Sequence, residues 1–159
     1  MPDDLSVELP DEAATLRLGG ALAAGAQPGL VLYLSGELGA GKTTLARGLL
    51  RALGYTKRVK SPTFALVELY TVSRLNLYHF DFYRFEDSSE WVSSGFREYF
   101  NPESLCAVEW PERAGGLLAP ADLEVQLEFA GEARRARLVA RSGTGQAWLT
   151  SARSRWSSS

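Results

Sequence analysis

Apolar positions run continuously through Leu30-Val31-Leu32-Tyr33-Leu34, the length of a buried strand, and recur three and four apart from Thr44 to Leu53 before Gly54. This spacing predicts a core strand followed by a helix. Asp11 to Ala24 opens on acids and continues at helical spacing, predicting an earlier helix, although each of Gly19 and Gly20 costs about 1 kcal/mol relative to alanine. Residues 1–10 read as a lead-in. Ala65 to Val72 and Leu75 to Asp81 read as two strands joined across the short Ser73-Arg74 break, a hairpin. Glu86 to Tyr99 is acidic at its front and anchored by Trp91, Phe96, Tyr99 and Phe100, which predicts one or two short helices. Leu105 to Val108 is a brief apolar strand that ends at Glu109. Asp122 to Phe129 and Arg134 to Arg141 alternate around Gly131 and predict a second hairpin, with Arg134, Arg135 and Arg137 on its outer face. Ser154 to Ser159 reads as a disordered serine-rich tail.

Between the first core strand and its helix lies Gly36-Glu37-Leu38-Gly39-Ala40-Gly41-Lys42-Thr43, which matches the phosphate-binding pattern G-x-x-x-x-G-K-[ST] at every fixed position. The glycines permit successive backbone N–H groups to converge on phosphate oxygens, and the helix that follows presents its positive end to them. Lys42 has the reach for the β- and γ-phosphates, and Thr43 offers a hydroxyl to Mg²⁺. The candidate nucleotide-binding residues are Glu37, Leu38, Gly39, Ala40, Gly41, Lys42, Thr43 and Thr44. A chance glycine-rich turn is the alternative, and the strand and helix flanks argue against it. The expected fold is α/β: one P-loop NTPase domain over residues 1–153, with a mixed, mainly parallel central sheet, antiparallel hairpins and flanking helices.

A nucleotide-bound Mg²⁺ needs a carboxylate, and two stand at the ends of apolar strands. Asp81 ends Leu77-Tyr78-His79-Phe80, and Glu109 ends Leu105-Cys106-Ala107-Val108; ligands of open α/β sheets bind at such an edge. Both are candidate metal and catalytic residues with Thr43 and Lys42. Thr63, in the Ser61-Pro62-Thr63-Phe64 connector, is a further candidate nucleotide-binding residue, able to sense the γ-phosphate and Mg²⁺ as switch loops do; an ordinary proline turn is the alternative. His79 is the only histidine; alternation puts it on one face with Leu77 and Asp81, which favours a structural hydrogen-bonding role over proton transfer. Arg84 and Arg113 follow the two acids, where an arginine either offsets phosphate charge or pairs at the surface. Trp110 and Phe64 either cover the nucleotide or belong to the core.

Composition narrows the class. The 159 residues are 45% apolar and 23% charged, with a net charge of −2, so nothing draws nucleic acid non-specifically and no direct nucleic-acid site is evident. Cys106 is the single cysteine, which excludes an intrachain disulfide, and its apolar neighbours predict a core thiol. No stretch is long and apolar enough for a membrane span, and the acidic Met1-Pro2-Asp3-Asp4 start lacks a basic signal region, so the cytosol is the expected compartment.

Taken together and in order, Gly36 to Thr44, Ser61-Pro62-Thr63-Phe64, His79-Phe80-Asp81-Phe82-Tyr83-Arg84 and Glu109-Trp110-Pro111-Glu112-Arg113 resemble the TsaE (YjeE) family, bacterial ATPases of tRNA threonylcarbamoyladenosine biosynthesis. The first motif is common to many NTPases; the other three together are specific. The resemblance implies weak ATP hydrolysis by the chain alone and work with TsaD and TsaB, whose complex is reset by hydrolysis; tRNA is met only through that complex. It also implies ATP and Mg²⁺ as cofactors, Lys42 and Thr43 on phosphate and metal, Thr63 in a switch-like loop, Asp81 on Mg²⁺ and Glu109 near the attacking water or the metal. The arginine-bearing hairpin and the tail match the family poorly. A small-molecule kinase with a P-loop is the competing enzyme, and a nucleotide-dependent interaction protein the competing binding module. A GTP switch is disfavoured because the chain has no N-K-x-D sequence.

Overall fold

A computed structural model of the chain describes residues 3–72 and 75–158. Seven strands form one sheet in the order β1-β7-β6-β2-β5-β4-β3. β2 (Val31–Ser35) runs parallel to β6 (Leu123–Ala130) on one side and to β5 (Ser104–Glu109) on the other, and β5 runs parallel to β4 (Leu75–Asp81). The sheet is therefore parallel at its centre, and both rims are antiparallel. β3 (Val67–Val72) returns along β4, while β7 (Ala133–Ala140) returns along β6 and carries β1 (Asp4–Leu9) at the edge. Every residue of β5 is buried, as expected of a strand covered on both faces.

Helices α1 (Glu12–Ala23), α2 (Lys42–Ala52) and α4 (Gly143–Ser158) cover one face around Leu18, Leu22, Leu45, Leu49, Leu123 and Trp148. The other face is covered by α3 (Ser89–Ser94) and two 3₁₀ segments, Phe96–Tyr99 and Pro111–Leu117, over an aromatic cluster of Phe80, Phe82, Phe85 and Trp91. Phe82 stacks on Phe85 with ring centres 4.7 Å apart, and Trp91 meets Phe82 edge-on at 5.7 Å.

Helix α1 begins where its cap predicts: Asp11 accepts from the Ala14 N–H at 2.9 Å. Its interior Gly19 is explained by what it touches. A Cβ there would stand 2.2 Å from Leu45 O, and one at Gly48 of α2 would stand 2.2 Å from Leu16 O. The glycines let α1 and α2 approach backbone to backbone, which repays their poor helix propensity.

Two expectations are corrected. Residues 4–9, expected as lead-in, form β1, because Val7 and Leu9 alternate inward and all six residues pair with β7. Residues 154–158, expected as a disordered tail, are the last turns of α4. Leu149 and Ala152 anchor the preceding turns, and Trp156 packs on the core beneath Arg17, whose guanidinium lies 4.5 Å from the ring centre. The Ser73-Arg74 connection lies outside the described residues, although β3 and β4 pair as the hairpin expectation requires. Cys106 is buried, as expected, with its thiol 3.3 Å from Tyr99 O.

Candidate nucleotide site

The turn from β2 into α2 is shaped by glycines that nothing larger replaces. Gly36 has φ +148°, and a Cβ on it would lie 2.5 Å from Leu127 O of β6. Gly41 takes φ +109° as the residue before α2, and no side chain caps that helix. The first N–H groups of α2 thus stay open to an anion at the helix's positive end. A cavity of ≈ 220 Å³ opens against this turn, lined among others by Leu38, Gly39, Thr43, Thr44, Thr63 and Tyr83. A second, of ≈ 180 Å³, lies on the other side of the loop between Gly39, Thr44, Asp11 and Arg134.

Lys42 is buried and folded back on its own loop. Its Nζ donates to Gly36 O at 2.5 Å and to Glu37 O at 2.9 Å, and it lies 4.3 Å from the centre of the Trp110 ring. Burial pulls its pKa down, while the Glu109, Asp81 and Glu112 carboxylates oppose that pull. Of the other loop residues, Ala40 is buried against the core and Leu38 projects into solvent.

The parallel pairing of β4 with β5 puts Asp81 directly opposite Glu109, at the strand ends that face the loop. Both carboxylates are buried. Asp81 accepts from Tyr83 N–H at 2.9 Å through Oδ1 and from the Thr63 hydroxyl at 3.2 Å through Oδ2. Burial raises its pKa, and the neighbouring Glu109 charge adds to the rise. Glu109 Oε2 takes two donors, Thr43 Oγ1 at 2.8 Å and His79 Nε2 at 2.7 Å. Burial pushes this carboxyl up as well, but the His79 hydrogen bond and charge, the Thr43 hydroxyl and Lys42 outweigh it, and its pKa lies below the ordinary glutamate value.

Among the described residues no group of three or more histidine, cysteine or acidic side chains could cage a metal by itself. Thr43, Asp81 and Glu109 instead supply an incomplete set of oxygens beside the loop. Such a set suits Mg²⁺, which commonly binds through one or two carboxylates together with substrate phosphates.

The structure thus gathers Lys42, Thr43, Thr44, Thr63, Asp81 and Glu109 around one cavity. Trp110 lines the same cavity, with a left-handed backbone at φ 58° that no sequence signal announces. Phe64 is not core: it is 83% exposed, beneath the Arg84 guanidinium at 4.9 Å. Arg113 sits over Tyr83 and Trp110 and donates to Phe85 O. Sequence reasoning missed the reach of Arg134 from β7 to Gly39 O at 3.4 Å. Its neighbours Arg135 and Arg137 are taken up by Glu8, Glu128 and Asp4 across β1, β7 and β6.

Comparison with known proteins finds relatives of similar sequence and the same fold. The family model described as "Threonylcarbamoyl adenosine biosynthesis protein TsaE" matches residues 9–138. A protein of Haemophilus influenzae named tRNA threonylcarbamoyladenosine biosynthesis protein TsaE is 40% identical over 149 residues, covering 91% of this chain and 94% of that one. Its namesake from Bacillus subtilis is 44% identical over 113 residues, covering 71% and 70%. The crystal structure of YdiB from Bacillus subtilis superposes with a TM-score of 0.82 at 30% identity and covers 97% of each chain.

Proposed function

We propose that this chain, which belongs to the TsaE family, is a Mg-dependent ATPase of tRNA N6-threonylcarbamoyladenosine biosynthesis, and that its hydrolysis of ATP resets a complex with TsaD and TsaB. The observation that carries the reading is the convergence of Thr43, Asp81 and Glu109 beside a glycine turn that holds a buried lysine. The cavities on the two sides of the turn give room for a polyphosphate and a nucleoside.

Backbone N–H groups from Leu38 to Thr44 bind the phosphates, and Lys42 exchanges its loop carbonyls for phosphate oxygens. Thr43 and Asp81 would hold Mg²⁺, and Glu109 would share it or act on the attacking water; when bound, the ion would supply positive charge to offset that of the phosphates. Glu109, held ionised, orients the water that attacks the γ-phosphorus in line; Thr63, on its switch-like connector, senses the γ-phosphate from beside Asp81. Catalysis is then a matter of position and charge, and a slow rate for the chain alone follows if an activating group comes from a partner. The cytosol supplies both ATP and tRNA.

The test is ATP hydrolysis by the purified chain, alone and with TsaB and TsaD of the same organism, with and without tRNA. Stimulation that disappears in Lys42→Ala supports the reading. Absence of nucleotide binding and of stimulation rejects it.

One observation favours a coupled role in binding. Phe64 is exposed immediately beside Thr63, which bonds Asp81, so nucleotide contacts at Thr63 would move an apolar surface residue. A protein whose nucleotide state controls a contact uses such a link.

A further inference from the structure

His79 stands apart from a merely structural histidine. It is 0% exposed on β4, two residues before Asp81, and its Nε2 lies 2.7 Å from Glu109 Oε2. Its Nδ1 is buried with no hydrogen-bond partner among the described residues. Buried polar atoms are generally paired, so a histidine kept for packing would be expected to satisfy both nitrogens. Here one nitrogen is left bare and the other is committed to a single carboxylate oxygen. A carboxylate oxygen can only accept, so Nε2 carries a proton and donates.

The same oxygen also accepts from Thr43 at 2.8 Å, whereas Oε1 of Glu109 takes no hydrogen bond within the described residues and Glu109 lines the cavity. Once Thr43 turns to a metal, His79 is the remaining donor on Oε2. Asp81, directly opposite in the β4–β5 register, repels the carboxylate.

We propose that His79 is a positioning residue: by holding Glu109 Oε2 it keeps the carboxylate from swinging off Asp81 and presents Oε1 to the reacting water. The proposal rests on the ATPase reading for its catalytic consequence, not for the hydrogen bond itself. Partners that orient a reactive or metal-binding side chain typically cost about 10–100-fold in activity or affinity when removed.

Two measurements decide it. Because His79 is the chain's one histidine, long-range ¹H–¹⁵N spectra of the full protein give one unambiguous tautomer. A protonated Nε2 is expected; a protonated Nδ1 with bare Nε2 could not donate to Glu109 and overturns the proposal. In the second, His79→Leu, which removes the donor, and His79→Gln, which retains one at a similar reach, are compared for turnover and for Mg-ATP affinity. Leucine is expected to lower kcat about 10–100-fold with affinity little changed, glutamine to recover most of the loss, and leucine to have no further effect in a Glu109→Gln background. Equal losses in both variants, or an undiminished loss in the Glu109→Gln background, overturn it. Absence of hydrolysis by the unaltered chain with TsaB and TsaD would overturn the ATPase reading and with it the catalytic consequence, while the tautomer still decides whether His79 holds Glu109.

Discussion

Thr43 and Glu109 are bonded to one another, hydroxyl to carboxylate at 2.8 Å, although both are the oxygens a nucleotide-bound metal would need. In the proposed reaction Thr43 would exchange this bond for a metal contact. Glu109→Gln keeps the shape and an acceptor for the Thr43 hydroxyl but removes the charge that orients the water. It is expected to bind ATP normally and to hydrolyse it about 10²–10⁴-fold more slowly, as phosphate release and a fluorescent ATP analogue would show together.

Lys42 provides a complementary case. Its ammonium donates to Gly36 O and Glu37 O of its own loop, partners that phosphate would replace in the proposed complex. Lys42→Ala removes a charge-assisted donor and is expected to weaken Mg-ATP binding about 10–100-fold by calorimetric titration. Lys42→Arg is not expected to restore it, since a planar guanidinium does not fit the buried point-charge position under Trp110.

Asp81 makes the fold depend on pH in the sense opposite to Glu109. Its pKa is raised in the folded chain, first by burial, so the native state binds a proton more readily than the unfolded chain does. Its contribution to stability is complete below the ordinary aspartate value and is lost as pH rises through the folded value. Asp81→Asn is therefore expected to raise the melting temperature at neutral pH, by on the order of 2–4 °C for each kcal/mol relieved, while abolishing hydrolysis. The gain should vanish on acidification. Glu109, with a lowered pKa, contributes stability above the ordinary glutamate value that is lost as pH falls through the folded one.

What the sequence made legible was local. The strand, glycine turn and helix at residues 31–52 are contiguous, and each announces the next by its pattern; Asp81 and Glu109 could be picked out because each ends an apolar run. What it hid depends on partners far along the chain. β1 alternates over only six residues, and its partner β7 lies more than a hundred positions on. α4 reads as glycine- and serine-rich, yet Trp148, Leu149 and Ala152 bury against α1 and the sheet, so tertiary packing overrides propensity. Alternation put His79 on Asp81's face, but no spacing rule brings it to Glu109; only the β4–β5 register does.

Cys106 is predicted to be inert while the fold holds. Burial raises its pKa to about 12, leaving a neutral, inaccessible thiol. Aromatic disulfide reagents at pH 8 should therefore label the chain only as it unfolds, which turns the modification rate into an unfolding rate.

Gly19→Ala and Gly48→Ala test the seam between α1 and α2. Helix propensity alone predicts a gain of about 1 kcal/mol for either. With backbone oxygens 2.2 Å from the added Cβ, both are instead expected to lose about 1–3 kcal/mol, read as a fall in the chemical-denaturation midpoint at unchanged slope.

That seam also limits how the chain can change over evolutionary time. The obstacle at each glycine is the other helix's main chain, so no smaller side chain across the interface compensates for a larger one; only parting the helices does. Gly48 lies six residues, about 9 Å along the helix, from Lys42. A divergence that widened α1 from α2 would carry the phosphate-binding end of α2 with it, so two helical positions that touch no ligand are under the same constraint as those that do.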